Sequence, residues 1–156
     1  MNEEYITNSF EETQSLGEHF AKRLKVGDFV AFYGDLGSGK TTFIQGLAKG
    51  LGIKRRIISP TFIIVRHYDI EIKIQNSNFK ITTQNAKSFY HIDLYRIGGK
   101  SDLLGLGIDE IIKDKNSIVA LEWAEKMNEM LPKRRIDVYC KYLEDDKRKI
   151  TIKKYE

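Results

Sequence analysis

The sequence predicts an α/β fold on a mainly parallel central sheet, flanked by some antiparallel strands. Three observations lead there. The continuous apolar run Phe29-Val30-Ala31-Phe32-Tyr33 has the length and residue content of a strand buried on both faces. It passes through a glycine-rich loop into Phe43, Ile44, Leu47, Ala48 and Leu51, which recur at helical intervals. A second buried run, Ser117-Ile118-Val119-Ala120-Leu121, lies further on, and Ile136-Asp137-Val138-Tyr139 and Lys149-Ile150-Thr151-Ile152 alternate as half-buried strands do.

The remaining elements follow in chain order. Ser9-Phe10-Glu11-Glu12 reads as a capping box, with Leu16, Phe20 and Leu24 at helical spacing behind it, so a helix is expected over 11–25. Gly52 is placed to end the helix after the glycine loop. Ile57-Ile58 and residues 62–65 are β-rich but are split by Ser59-Pro60-Thr61, where proline prevents a regular ladder. Residues 69–88 alternate Ile with charged residues and then turn polar, which reads as an exposed β-hairpin excursion. A strand over 89–95, a helix over 103–113 despite Gly105 and Gly107, and a helix over 124–130 ended by Pro132 complete the reading.

A chain of 156 residues fits one domain, 1–156, at ~100–200 residues per domain. Its 41% hydrophobic and 31% charged content excludes wholesale disorder and a collagen-like chain. No stretch approaches the ~20 apolar residues of a membrane span, and the first residues are acidic where a signal peptide is basic, so a cytoplasmic protein is expected. One cysteine, Cys140, fits a reducing compartment and reads as a small apolar strand residue. Residues 133–156 hold nine basic and five acidic side chains and so carry the whole net charge of +4. Solvated strand edges account for this; a surface for RNA, nucleotide phosphate or an acidic protein is the other reading.

Gly34-Asp35-Leu36-Gly37-Ser38-Gly39-Lys40-Thr41 matches G-x-x-x-x-G-K-[ST], the phosphate-binding P-loop. The glycines let successive backbone N–H groups converge on phosphate oxygens at the positive end of the next helix. Lys40 supplies a mobile cation for the β- and γ-phosphates, and the Thr41 hydroxyl is the expected Mg²⁺ ligand. The strand before the loop and the helix after it are the context this motif requires, giving a P-loop NTPase-like three-layer domain. Such a site also needs carboxylates. Glu122, ending the second buried run, and Asp93, within Tyr90-His91-Ile92-Asp93-Leu94-Tyr95-Arg96, are the two candidates, and at least one must serve the metal. Thr61 reads either as a γ-phosphate sensor or as an ordinary turn threonine. Trp123 reads either as core or as a contact beside the nucleotide or a partner. His19, His67 and His91 lack zinc-ligand spacing and read as ordinary histidines.

With these motifs placed, the chain resembles the TsaE (YjeE) family, the ATPase component of bacterial tRNA threonylcarbamoyladenosine biosynthesis. The segments that carry the likeness are Gly34 through Phe43, Ser59-Pro60-Thr61-Phe62, His91-Ile92-Asp93-Leu94-Tyr95-Arg96, Gly107-Ile108-Asp109-Glu110 and Leu121-Glu122-Trp123. The resemblance implies binding of ATP or ADP through Asp35, Leu36, Gly37, Ser38, Gly39, Lys40, Thr41 and Thr42. It implies Mg²⁺ held by Thr41 and Glu122, and a role for Asp93 in hydrolysis. It implies docking on a TsaB–TsaD complex, with tRNA met indirectly through that complex. It also puts residues 9–13, including Phe10, and a basic residue of the last hairpin, Lys147 or Arg148, near the base. The 69–88 excursion is longer and more polar than the family connection.

Two other functions fit part of the sequence. A small-molecule kinase would share the sheet and cradle, but after Leu104 there is no arginine-rich helical insertion to form a lid. An RNA-binding module would use the basic C-terminal section, but no stacked-aromatic RNA signature accompanies it.

Overall fold

A computed structural model describes residues 2–58, 64–70 and 86–156. β1 (Asn2–Thr7) and α1 (Phe10–Ala21) come first, then β2 (Phe29–Tyr33) and α2 (Lys40–Gly50). β3 (Val65–Asp69) and β4 (Ser88–Asp93) are followed by the short helices α3 (Lys100–Leu104) and α4 (Ile108–Lys113). β5 (Ser117–Glu122), β6 (Arg135–Tyr142) and β7 (Arg148–Tyr155) follow.

Among the described residues the seven strands form one sheet in the order β1-β7-β6-β2-β5-β4-β3. The inner strands β6, β2, β5 and β4 are mutually parallel, whereas β7, β1 and β3 attach antiparallel. This is the α/β arrangement the sequence predicts. β2 lies between β5 and β6, and Phe29 to Phe32 are all buried, because a strand covered on both faces gains from apolar side chains at every position.

Two apolar layers sandwich the sheet. On one face Phe20 of α1, Leu24 of the turn after it, and Phe43 and Leu47 of α2 pack on Val30, Phe32, Ala120 and Val138. On the other, Leu103, Ile108 and Met127 pack on Phe29, Ala31, Ile92 and Leu121. The two long helices touch backbone to backbone: a Cβ at Gly46 would lie 1.8 Å from the carbonyl oxygen of Gln14. The α1 cap is built as expected, with Ser9 Oγ accepting from the Glu12 N–H at 3.1 Å. Glu12 reaches one residue further back than a standard box, accepting from the Asn8 N–H at 2.7 Å.

Several elements differ from the sequence reading. β1 has no counterpart in the sequence reading, since Asn2-Glu3-Glu4 carries little strand signal; pairing with β7 creates it, including a Glu4–Lys149 ion pair at 3.0 Å. α1 stops at Ala21 rather than 25, as the following turn folds Leu24 into the core. The expected helix over 103–113 is two helices, separated at Gly105 and left-handed Gly107. The expected helix over 124–130 is two 3₁₀ turns, because Trp123 and Asn128 take positive φ. Ala124 and Met127 remain buried three apart, which is the spacing that imitated a helix. β4 ends at Asp93, whose carboxylate takes the Tyr95 N–H, so the strand does not reach Tyr95. Ile57 and Ile58 form no strand. Phe62 and Ile63 lie outside the described residues, as does the tip of the 69–88 excursion. Its base is described: Asp69 pairs with Ser88, and the Ile70 N–H donates to the Lys87 carbonyl at 3.0 Å.

Candidate functional site

The glycine-rich loop leaves β2 at Gly34, with φ 139°. A Cβ there would lie 2.2 Å from the Cys140 carbonyl oxygen, so the loop passes β6 at a distance only glycine permits. Gly39 is left-handed and precedes Lys40, the first residue of the eleven-residue α2. That helix has no side-chain N-cap, so its first N–H groups and positive dipole end lie at the loop. The buried Ser38 hydroxyl has no partner among the described residues.

Lys40 is buried and donates to the Gly34 and Asp35 carbonyls, at 2.9 Å for the latter. Its ammonium lies 4.2 Å from the centre of the Trp123 ring, a cation–π contact. Trp123 holds that position from a left-handed backbone, φ 60°, a conformation that costs a bulky residue ~1–2 kcal/mol. Strain of this kind is sustained only where surrounding packing enforces it, and here Tyr95 packs against the indole at 5.2 Å.

Glu122 ends β5 next to the loop strand, with Phe32 as its neighbour in register. Thr41 Oγ1 donates to its two carboxylate oxygens at 2.9 and 3.1 Å. His91 Nε2 meets the same carboxylate at 2.7 Å. Asp93 is paired in register with Glu122 and accepts from the Tyr95 N–H at 2.9 Å. Leu36, Gly37, Gly39, Lys40, Thr41, Thr42, Asp93, Tyr95, Glu122, Trp123 and Arg148 enclose a cleft of about 210 Å³. Beneath it, burial pushes the Cys140 thiol up to about 12, so the sulfur is a packing group rather than a nucleophile.

These donors suit a metal–phosphate complex better than a bare cation. No group of three or more His, Cys, Asp or Glu among the described residues forms a cage. Mg²⁺ commonly takes one or two protein oxygens and completes its shell with phosphate and water. Thr41 with Glu122, beside a loop of backbone N–H groups and the unpartnered Ser38 hydroxyl, is such a partial set.

The fold therefore gathers most of the residues singled out from sequence: the loop from Leu36 to Thr42, Asp93 and Glu122 line or adjoin one cleft. Three depart. Thr61 lies outside the described residues. Phe10 does not line this cleft; with 53% exposure it lines a separate groove with Gln14, Gln45 and Ile57, because α1 brings its first turn to the flank of α2. Lys147 is not among the lining residues either. Arg148, the first residue of β7, projects there, with its stem 3.6 Å from where a Gly39 Cβ would be and its guanidinium over the Tyr142 ring. His91 and Tyr95 were the residues left without a role. The signal for His91 is its i, i+2 spacing before Asp93 in β4, which strand geometry aligns on one face; Tyr95 lies beyond the strand's end, where its N–H donates to Asp93.

A family model described as Threonylcarbamoyl adenosine biosynthesis protein TsaE matches residues 7–150. The tRNA threonylcarbamoyladenosine biosynthesis protein TsaE of Bacillus subtilis is 37% identical over 142 residues, covering 91% of this chain and 79% of that protein. The protein of the same name from Rickettsia bellii is 35% identical over 153 residues, covering 97% and 95%. Among solved structures, Bacillus subtilis YdiB superposes with a TM-score of 0.77 at 31% identity, covering all of this chain and 87% of that one.

Proposed function

Since this chain belongs to the TsaE family, whose members are named for tRNA threonylcarbamoyladenosine biosynthesis, we propose that it binds ATP or ADP with Mg²⁺ in the glycine-loop cleft and hydrolyses ATP. We propose further that it does so docked on TsaB and TsaD, and meets tRNA through that complex. The observation that carries this reading is the Thr41–Glu122 hydrogen bond at the start of α2, beside buried Lys40.

In this reading the loop N–H groups from Gly37 to Thr42 bind the β-phosphate, and Lys40 exchanges its carbonyl partners for phosphate oxygens. Thr41 and Glu122 would hold Mg²⁺, which would supply positive charge to offset that of the phosphates. Asp93 orients a water toward the γ-phosphorus; the water oxygen bonds to phosphorus as the bond to the β–γ bridging oxygen breaks, leaving ADP and phosphate. Trp123 and Tyr95 wall the cleft and limit solvent around Lys40. Arg148 extends a cation toward the phosphates from β7.

The test is titration of fluorescent N-methylanthraniloyl-ATP with and without Mg²⁺, followed by phosphate release with and without TsaB–TsaD. Saturable, Mg²⁺-assisted binding and release stimulated by the partners are expected. Failure of both nucleotides to bind overturns the assignment, and binding without hydrolysis in the complete complex reduces it to a nucleotide sensor.

A further inference from the structure

The described chain buries one histidine completely, and its ring nitrogen touches a carboxylate of the cleft. His91 is 0% exposed and sits on β4 opposite Ala120, two residues before the Asp93–Glu122 register pair. Its Nε2 lies 2.7 Å from Glu122 Oε1, the oxygen that also accepts from Thr41 Oγ1. Its other nitrogen, Nδ1, is buried without a partner among the described residues. An ionised carboxylate can only accept, so Nε2 carries the proton of this contact.

We propose that His91 is a positioning residue for the Mg²⁺ site: its Nε2–H anchors Glu122 Oε1 and thereby holds the carboxylate, and through it the Thr41 hydroxyl, in the orientation that receives the metal. This rests on the nucleotide–Mg²⁺ reading of the cleft. The physical reason is rotameric. A glutamate side chain has three rotatable bonds, and one hydrogen bond to a hydroxyl that itself rotates leaves the carboxylate free to turn. Thr41 and His91 approach it from different elements, α2 and β4, so the two together fix both its place and its plane. The packing places the second donor: β4 and β5 are adjacent parallel strands, and the imidazole of His91, opposite Ala120, reaches along their shared face to the carboxylate at 122. An outer donor of this type, when removed, costs a metal site ~10–100-fold in affinity.

The experiment reads the Mg²⁺ concentration needed for half-maximal binding of N-methylanthraniloyl-ADP, and separately the affinity for the same nucleotide in EDTA. His91→Phe keeps the ring volume and removes the donor. It is expected to raise the half-saturating Mg²⁺ at least tenfold, with metal-free affinity within about twofold of wild type. His91→Gln, whose amide can donate at similar reach, should recover most of the loss. In a Glu122→Gln background, His91→Phe should add no further shift, since the pair acts as one unit. A folded His91→Phe protein with wild-type Mg²⁺ dependence overturns the proposal and leaves His91 as core packing. If His91→Phe does not fold, His91→Gln against His91→Asn, whose shorter arm cannot reach, decides the same point: equal Mg²⁺ dependence of the two overturns the proposal. If Glu122→Gln itself leaves Mg²⁺ dependence unchanged, it is the metal assignment of the cleft that fails.

Discussion

The hydroxyl of Thr41 donates to both oxygens of Glu122, at 2.9 and 3.1 Å, across 81 residues of chain. The contact ties the first turn of α2 to the end of β5, and on the proposed reading it sets Glu122, rather than Asp93, beside the metal. Asp93 makes a different contact, to the Tyr95 N–H at 2.9 Å. Glu122→Gln should therefore shift the Mg²⁺ dependence of nucleotide binding. Asp93→Asn keeps an oxygen for the Tyr95 N–H and should bind Mg²⁺-ATP near normally, yet turn over at least tenfold more slowly with the partner proteins. Exchange of these behaviours would reverse the two roles.

Lys40 is the cation within the glycine loop itself, and truncation removes its charge-assisted contacts. Lys40→Ala should weaken ATP binding at least tenfold, about 1.4 kcal/mol, in an equilibrium titration. Unchanged affinity in a folded variant would remove the phosphate cradle from the site.

Where α1 meets α2, a methyl group has no room. Gly46→Ala sets its Cβ against the Gln14 carbonyl, and separating two backbones should cost about 2–3 kcal/mol, a fall of roughly 5–10 °C in Tm. Gly105→Ala meets nothing within 4 Å and should change stability by less than about 1 kcal/mol. Equal effects of the two would contradict the close helix approach.

Glu3 accepts from both terminal nitrogens of Arg23, at 2.5 and 2.7 Å, and the guanidinium holds its carboxyl down at about 2. A depressed folded value means the pair stabilises above the ordinary carboxyl range, near 4.5, and that this contribution is lost as pH falls through about 2. Arg23 is half exposed, so solvent limits the contribution to ~0.2–1 kcal/mol. In urea titrations, Arg23→Ala should be less stable than wild type at pH 6, with the gap closing toward pH 2. The Arg23 guanidinium also lies 5.8 Å from the centre of the Phe20 ring, and a gap that does not vary with pH would assign the effect to that contact.

With its thiol at about 12, Cys140 should resist iodoacetamide at pH 8 in the native protein and react fully in guanidinium. Fast native labelling would mean that β6 opens readily.

Local chemistry encodes part of this protein directly. The loop from Gly34 to Thr41 needs its glycines and lysine at fixed offsets, and the flanking strand and helix carry their periodicity in the same short stretch, so that part of the site was legible residue by residue. Glu122 was legible as a strand-end acid for the same reason. Tertiary structure decided the rest. β1 exists because β7 offers it a partner, and the two 3₁₀ turns after β5 replace a helix because packing holds Trp123 left-handed over Lys40. Only the parallel pairing of β4 with β5 brings His91 to Glu122 and sets an unremarkable histidine behind a carboxylate of the cleft. Arg148 rather than Lys147 lines that cleft, since β7 begins at Arg148 while Lys147 belongs to the turn before it, and Phe10 leaves it because α1 crosses the flank of α2. Such choices depend on which elements lie side by side, and a single sequence carries no record of neighbours that its own periodicity does not impose.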